Sequence, residues 1–230
     1  MCGIAGIISN FPSQKNIPNL LSILSNLVSR GKDGTGIGYI DQNGKIVIQK
    51  KDIAANDFFE EYTGIKIDCN IAIGHVRAST VGIVSELNSH PLLDCYGNIA
   101  VVHNGTIKNR KNLRMELENE GHTFRGTVDS ELIPHLLEKY YYEYNNLEKS
   151  ISKTVMRLEG YYTFCVISNF EPENVYLYRH HFPLLILKDE DKYYFSSERK
   201  PLVKLLEKRI RVKNLKKDEI TVLSTDSIEN

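Results

Sequence analysis

The stretch that decides the fold is the first one, in which residues 2–9 read CGIAGIIS. Its residues are apolar, several of them are β-branched, and no polar side chain interrupts the run before Ser9. Such a short, continuous apolar segment is typical of a strand in a protein core. We therefore predict that the chain begins with a buried strand and that Cys2 lies at its start.

Helical and strand patterns follow this segment in blocks. Pro18 opens a predicted helix in which leucine and isoleucine repeat at helical spacing as far as Val28, and Asn43-Gly44 marks a hairpin. The remaining predicted strands cover 36–41, 45–51, 70–77, 98–104, 161–168, 174–180, 184–187, 193–196 and one or two segments of 210–223. Further helices are predicted at 54–62, 109–120, 128–144, 147–158 and 200–207. Strands, then helices, then strands favour an α+β fold in which sheets pack beneath helices.

Length and composition limit the classes of protein. The chain has 230 residues, of which 41% are hydrophobic and 25% charged, as expected for a single soluble globular domain over 1–230. Basic and acidic residues balance at 29 each, so the net charge gives no reason to expect nucleic acid as a partner. No segment approaches the roughly 18 apolar residues of a membrane helix, so we expect no membrane partner.

The four cysteines are Cys2, Cys69, Cys95 and Cys165, and none forms a C-x-x-C pair. No spacing of cysteine and histidine resembles a zinc site, and His122 is interpreted as a surface residue. We therefore predict neither a metal nor a cofactor. Few cysteines without a secretory leader favour a reducing, cytoplasmic compartment.

Cys2 directly follows the initiator methionine. If Met1 is removed, one residue carries both a thiol and a free α-amine. The pKa of an α-amine is about 7.7–8.0, against about 10.4 for lysine, so the amine is the better base near neutral pH. It can take the thiol proton and create an N-terminal nucleophile. The alternative is a small buried residue that happens to stand second.

Four later segments carry chemistry of the same kind. Residues 74–80 read GHVRAST and end a predicted strand, so Arg77 can bind a carboxylate through two parallel hydrogen bonds. Residues 88–91 read NSHP, and 103–105 read HNG at the end of another strand, where an amide and a glycine N–H would equip an oxyanion hole. Residues 127–131 read TVDSE, and Asp129 opens a helix where it could hold an ammonium group. Taken singly, these segments are equally compatible with a surface ion pair, a turn and a helix start.

In this order, the segments MCGIAG (1–6), RGKDG (30–34), GHVRAST (74–80), HNG (103–105) and DSE (129–131) resemble the class II glutamine amidotransferase domain. The resemblance extends over 2–198 and is greatest to the glutaminase of the glucosamine-6-phosphate synthase type. It implies a four-layer αββα sandwich of the N-terminal nucleophile hydrolase type. It also implies that Cys2 attacks the side-chain amide of glutamine and that water hydrolyses the resulting thioester.

Further roles follow from the same resemblance. Asn104 and Gly105 would stabilise the oxyanion, and Arg30 would support the nucleophile. The substrate-binding residues implied are Arg77, Thr80, His90 and Asp129, with Arg77 on the carboxylate and Asp129 on the α-ammonium of glutamine. At the position of Ala78, the pattern of the synthase has a tryptophan that helps to gate the ammonia passage. This chain lacks that residue.

The predicted substrate is L-glutamine, and little sequence follows the resembling region. We therefore predict a separate synthase subunit that accepts the ammonia; a homo-oligomer is compatible with the sequence. Two alternatives remain open: an N-terminal nucleophile amidase acting on another amide, and a non-catalytic binding module with the same fold. Arg77 and Asp129 argue against the first, since an uncharged amide would leave both unpaired. The complete set of site residues argues against the second.

Overall fold

The computed structural model describes residues 2–62, 64–79, 83–206 and 211–227. The strands in these ranges are β1 (Gly3–Ser13), β2 (Gly34–Ile40), β3 (Ile46–Lys51), β4 (Cys69–Arg77), β5 (Leu92–Leu93), β6 (Ile99–Ile107), β7 (Gly160–Ser168), β8 (Asn174–Arg179), β9 (Leu185–Asp189), β10 (Lys192–Ser196), β11 (Lys213–Asn214) and β12 (Ile220–Ser224). The helices are α1 (Asn16–Ser25), α2 (Ala55–Tyr62), α3 (Arg110–Asn119), α4 (Leu132–Tyr144), α5 (Leu147–Arg157) and α6 (Arg199–Leu206).

The strands form two sheets. The first has the order β11-β9-β10-β1-β4-β2-β3, and the second has the order β12-β8-β7-β6-β5. All the recorded pairings are antiparallel. β1 lies inside the first sheet, with Gly6 opposite Phe195 of β10 and opposite Ile73 of β4. The first strand of the chain is therefore hydrogen-bonded on both sides.

The two faces of β1 contact different layers, which explains its uninterrupted apolar sequence. Ile4 and Ile8 belong to the core between the two sheets, where they meet side chains of the second sheet such as Val102. Ala5 and Ile7 belong to the core that the first sheet shares with α1. Side chains alternate between the faces of a strand, so a strand covered on both faces needs apolar residues at every position.

The outer face of the second sheet is covered in the same way. Phe164 and Val166 of β7 share a core with helices α4 and α5, to which Leu136 and Ile151 contribute. The order of layers is therefore helix, sheet, sheet, helix, and the predicted four-layer αββα sandwich is confirmed. No α-helix in the described ranges is both long and apolar enough to cross a membrane.

Several predicted boundaries were wrong. Helix α1 starts at Asn16 rather than Pro18 and stops at Ser25, and Val28–Arg30 forms a separate 3-10 turn. Proline is tolerated there because the first turn of a helix needs no N–H donor. The side chain of Asn16 fixes the new start, since its Nδ2 donates to Ser9 Oγ and to the Cys69 carbonyl, both at 2.8 Å.

Two corrections concern the site. The HNG segment does not end a strand, because β6 continues through it to Ile107. Asp129 lies in a 3-10 turn, Asp129–Glu131, and the α-helix itself begins only at Leu132. The short strands β5 and β11 were not predicted individually. Glu207 and Ile210, at the ends of two predicted elements, lie outside the described residues.

Gly6 tests how tightly β1 packs against its neighbour β10. A Cβ at Gly6 would lie 2.0 Å from the ring of Phe195, whose side chain is fully buried and cannot swing away. We expect Gly6→Ala to lower the free energy of unfolding by about 1–3 kcal/mol, measured by chemical denaturation. In a Phe195→Leu background, the same alanine should cost less because the overlapping ring atoms are gone. An equal cost in both backgrounds would contradict this account of the packing.

Candidate active site

The thiol of Cys2 lies where β1 and β4 end side by side. The last residues in register are Gly3 and Val76, so Cys2 is next to the residues that follow β4. The backbone N–H of Ala78 donates to Cys2 Sγ at 3.3 Å, and the sulfur lies 3.5 Å from the Ala78 carbonyl oxygen. The sheet itself therefore positions the sulfur.

Burial is the main influence on this thiol and raises its pKa. The N–H of Ala78 and the positive charges of Arg77 and Arg30 act in the opposite direction without reversing the shift. Cys2 is thus a protonated thiol at neutral pH. Nucleophilic attack by its sulfur requires a base that removes the proton.

Arg30 fixes the backbone of Cys2. Its Nε donates to the Cys2 carbonyl oxygen at 2.7 Å, and its Nη1 forms a salt bridge of 3.0 Å with Glu198 Oε1. Charge-assisted hydrogen bonds of this kind are among the stronger ones in proteins. Arg30 therefore contacts the backbone of Cys2, and its salt bridge with Glu198 holds it in place.

Asn104 is held on both sides of its amide. Its Nδ2 donates to Ser197 Oγ at 3.0 Å, and the same hydroxyl oxygen accepts the backbone N–H of Ile4 at 2.9 Å. On the other side, His75 Nε2 lies 3.0 Å from the His103 carbonyl and 3.2 Å from Asn104 Oδ1. Both partners of Nε2 are acceptors, so this nitrogen carries the proton. The amide nitrogen of Asn104 is thereby directed towards β1.

His75 belongs to a group of three buried histidines, with His90 and His103. With Nε2 protonated, neutral His75 accepts at Nδ1, and His90 Nδ1 lies 3.1 Å away as the donor. His103 Nδ1 forms a 2.7 Å hydrogen bond with Ser130 Oγ. Burial lowers the pKa of His75 to about 3 and that of His103 to about 4, and it brings the pKa of His90 well below its ordinary value. All three rings are therefore neutral at pH 7 and act as hydrogen-bonding groups.

One cation and one anion lie close to the thiol. Arg77 is buried at the end of β4, and its Nη1 donates to the Ile83 carbonyl at 3.1 Å. Asp129 is also buried, and its Oδ2 accepts the backbone N–H of Ile107 at 2.6 Å. Opposite charges on one small cavity suit a ligand that is itself a zwitterion.

Two adjoining cavities share Cys2, Ala78 and Gly105 in their walls. The first, of about 130 Å³, is also lined by Arg30, Asn104, Thr106 and Phe182. The second, of about 20 Å³, is also lined by Arg77, His90, His103, Val128, Asp129 and Ser130. The structure thus brings together all the predicted site residues except Thr80, which lies outside the described residues. Their individual roles stay predictions.

Gly105 is required for the shape of these cavities. Its φ is +146°, which residues with a side chain rarely adopt, and a Cβ here would lie 1.9 Å from the Tyr161 carbonyl oxygen. The backbone of β6 can therefore approach β7 and leave space beside Cys2.

Sequence reasoning missed three residues of the site. His75 and Ser197 hold Asn104, and Phe182 lines the larger cavity. His75 stands inside the quoted GHVRAST segment and so offered a signal, whereas Ser197 lies in the resembling region 2–198 but in none of the quoted segments. Phe182 offered none.

The comparisons with known proteins identify the family of this chain. A family model described as the glutamine amidotransferase domain matches residues 75–204. The glutamine–fructose-6-phosphate aminotransferase (isomerizing) of Sulfolobus acidocaldarius is 33% identical over 228 residues, which cover 99% of this chain and 38% of the relative. The enzyme of the same name from Methanothermobacter thermautotrophicus is 36% identical over 227 residues, which cover 98% of this chain and 37% of that enzyme. The chain therefore spans less than two fifths of the length of these relatives.

Solved structures show the same fold. The glutamine phosphoribosylpyrophosphate amidotransferase of B. subtilis, complexed with ADP and GMP, has a TM-score of 0.79 at 23% identity. The superposition covers 97% of this chain and 49% of the B. subtilis chain. A structure described as the allosteric regulatory enzyme of purine biosynthesis has a TM-score of 0.84 at 25% identity, and the superposition covers 98% of this chain and 47% of that one. The family model spans more than half of the chain. The chain therefore belongs to the glutamine amidotransferase domain family, in its class II form with the N-terminal nucleophile hydrolase fold.

Proposed function

We propose that this chain hydrolyses L-glutamine to glutamate and ammonia, with Cys2 as the nucleophile and a glutamyl thioester as the intermediate. The observation that carries the proposal is the wall of the paired cavities. It combines a thiol, a fixed amide at Asn104, a cation at Arg77 and an anion at Asp129. Each group corresponds to one part of glutamine or of its tetrahedral intermediate.

The base in this proposal is the α-amine of Cys2, exposed when the chain is processed before this residue. Its ordinary pKa of about 7.7–8.0 suits proton transfer near neutral pH, whereas the buried thiol does not ionise unaided. The amine takes the thiol proton, and Sγ forms a bond to the amide carbon of glutamine. The proton then passes to the leaving nitrogen, so that the C–N bond breaks and ammonia departs.

The second half of the reaction restores the thiol. Water adds to the thioester carbon, the C–S bond breaks, and glutamate leaves while the sulfur regains a proton. In both halves, negative charge develops on the former amide oxygen. The Asn104 amide, already oriented by His75 and Ser197, would donate to that oxygen together with the N–H of Gly105.

Selection of glutamine would depend on its charged head group. Arg77 would bind the α-carboxylate and Asp129 the α-ammonium, with His90 and Thr80 completing the surroundings. An uncharged amide would gain no attraction from either charge, whereas glutamine would gain it from both. This disfavours an amidase for other substrates. Turnover of glutamine that does not exceed turnover of amides lacking the head-group charges would reverse the choice.

Ammonia from this reaction needs an acceptor. The relatives named glutamine–fructose-6-phosphate aminotransferase are more than twice as long, and this chain corresponds to 38% of the one from S. acidocaldarius. Because the name of these relatives pairs glutamine with a second substrate, we propose that the ammonia passes to a synthase reaction, carried by a separate subunit. A reducing, cytoplasmic location is part of the proposal, because it would preserve all four thiols, which are free in the structure.

Replacement of the sulfur tests the mechanism directly. We expect Cys2→Ala to abolish release of glutamate and ammonia from glutamine, since no other group forms the thioester. Cys69→Ser, at a buried thiol in the core beneath α1, should keep turnover. Intact mass spectrometry of the active protein should show a chain that starts at Cys2. Wild-type turnover by Cys2→Ala, or a blocked start in an active preparation, would refute the mechanism.

Asn104 tests the oxyanion assignment. Asn104→Ala removes one donor, and we expect kcat to fall about 10²–10³-fold, or roughly 2.7–4 kcal/mol of barrier, with little change in KM. The exposed Asn119, at the end of α3, provides the control. If Asn104→Ala instead raises KM at constant kcat, the amide binds the ground state and the assignment is wrong.

The separate acceptor is tested by isolation from the source cells. Tagged chain should retain a second protein, and adding that protein should raise glutaminase turnover, because coupling avoids wasteful hydrolysis. Fast turnover by the isolated chain, with no second protein retained, would contradict the proposed subunit.

A further inference from the structure

A second cluster of reactive side chains lies away from Cys2. It combines Cys95, in the turn between β5 and β6, with His122, in the connection after α3, and with His135 and Glu138 of α4. One ligand atom from each residue lies within 4.8 Å of all the others. None of the four residues lines the cavities beside Cys2.

Four of the five measured distances between these atoms match the edges of a tetrahedron around zinc, and the fifth is about 0.3 Å shorter. Bonds of about 2.3 Å to sulfur and 2.0–2.2 Å to nitrogen and oxygen imply ligand separations of about 3.3–3.6 Å. Cys95 Sγ lies 3.5 Å from His122 Nδ1 and 3.4 Å from His135 Nδ1, and the two nitrogens are 3.3 Å apart. Glu138 Oε2 lies 3.0 Å from His122 Nδ1 and 3.6 Å from His135 Nδ1.

Hydrogen bonds alone do not explain this convergence. Each imidazole has a single Nδ1, which can direct at most one proton, yet each Nδ1 faces the other ring, a sulfur and a carboxylate oxygen. The side chains are also removed from water, with exposures of 12% for His122, 1% for His135 and 3% for Glu138. A cation at the centre would accept a lone pair from all four atoms.

A neighbouring carboxylate supports the same interpretation. His135 Nε2, the nitrogen that points away from the cluster, lies 3.9 Å from Glu131 Oε1. The Glu131 carboxylate is itself fixed, because it accepts the backbone N–H groups of Arg125 at 2.7 Å and Gly126 at 2.8 Å. Histidine ligands of metals commonly have a carboxylate beside their second nitrogen, which orients the ring.

We propose that Cys95, His122, His135 and Glu138 bind one Zn²⁺ ion in a closed, structural site. The thiol proton is released to solvent on binding, so one thiolate and one carboxylate balance the two charges of the ion. Mixed sulfur, nitrogen and oxygen ligands in a tetrahedron favour zinc over magnesium or calcium. Four protein ligands leave no position for water, which makes the role structural rather than catalytic.

The ion would join three segments that are separate in sequence. The turn at Cys95, the connection at His122 and the first turns of α4 would be bound to one point. Glu131, beside the ligand His135, follows Asp129 and Ser130, which line the smaller cavity. The zinc would therefore fix the connection between α3 and α4 on which that wall depends. This proposal is independent of the glutaminase mechanism.

Metal analysis and cobalt spectroscopy test the site. Chain purified without added metal should contain one zinc per chain by mass spectrometric metal analysis. After removal of zinc by a chelator, titration with Co²⁺ should give the visible bands of a tetrahedral ion and a thiolate-to-cobalt charge-transfer band. Cys95→Ser should lose that band, whereas Cys69→Ser and Cys2→Ala should keep it.

Three results would overturn the proposal: no stoichiometric zinc together with no cobalt band, a band that survives Cys95→Ser, or a band that disappears in Cys2→Ala. The wild-type chain provides a second measurement, which does not depend on the folding of Cys95→Ser. Chelation should lower its Tm, and added zinc should restore it. A Tm unaffected by the chelator would also refute a structural ion. None of these measurements uses glutaminase activity, so the two proposals fail separately.

Discussion

The antiparallel pairing of β1 with β4 is the constraint on which the site depends. It places Gly3 opposite Val76, so the sulfur of Cys2 meets the N–H of Ala78 and the charge of Arg77. On its other side, β1 pairs with β10, which brings Ser197 to the backbone of Ile4. Both faces of β1 are buried, and a register slip of one residue would place a side chain where only Gly6 fits against Phe195. The same core packing that fixes the register therefore positions the Cys2 thiol.

A polar bridge crosses the interface between the two sheets. His75 of β4 and Ser197 after β10 belong to the first sheet, and both bond Asn104 of β6 in the second. Buried polar groups are stable when their hydrogen bonds are satisfied, and they then favour one arrangement over others. The hydrogen bonds that orient the Asn104 amide therefore also join the two sheets.

The sequence predicted the fold well where one physical signal dominated. The apolar run of β1 and the Asn-Gly hairpin between β2 and β3 were placed correctly, because burial and turn chemistry are local properties. The extension of β6 was missed because Asn104 and Gly105 usually end a strand. Here the amide is satisfied by residues far away in sequence, and the glycine is required by contact with β7.

In the candidate site, too, some features were predictable from local sequence and others depend on residues that are distant in sequence. Its main residues were recognisable as ordered motifs, and the structure brings the described ones to two shared cavities. The cluster at Cys95 was not recognisable, because His122 stands 27 positions after Cys95 and His135 stands 13 positions after His122. Only the fold of the second sheet and α4 brings them together, and His122 is mostly buried rather than on the surface.

The three buried neutral imidazoles of His75, His90 and His103 also affect how the protein responds to acid. In an unfolded chain these histidines take up protons as the pH falls below about 6.5, whereas burial in the fold holds the pKa of His75 at about 3 and that of His103 at about 4. Between pH 6.5 and these lower pKa values, the unfolded state binds more protons than the folded state, so acidification shifts the equilibrium towards unfolding. These buried imidazoles therefore impose no protonation penalty on the fold above about pH 6.5, and the penalty grows as the pH falls towards their pKa values in the folded state.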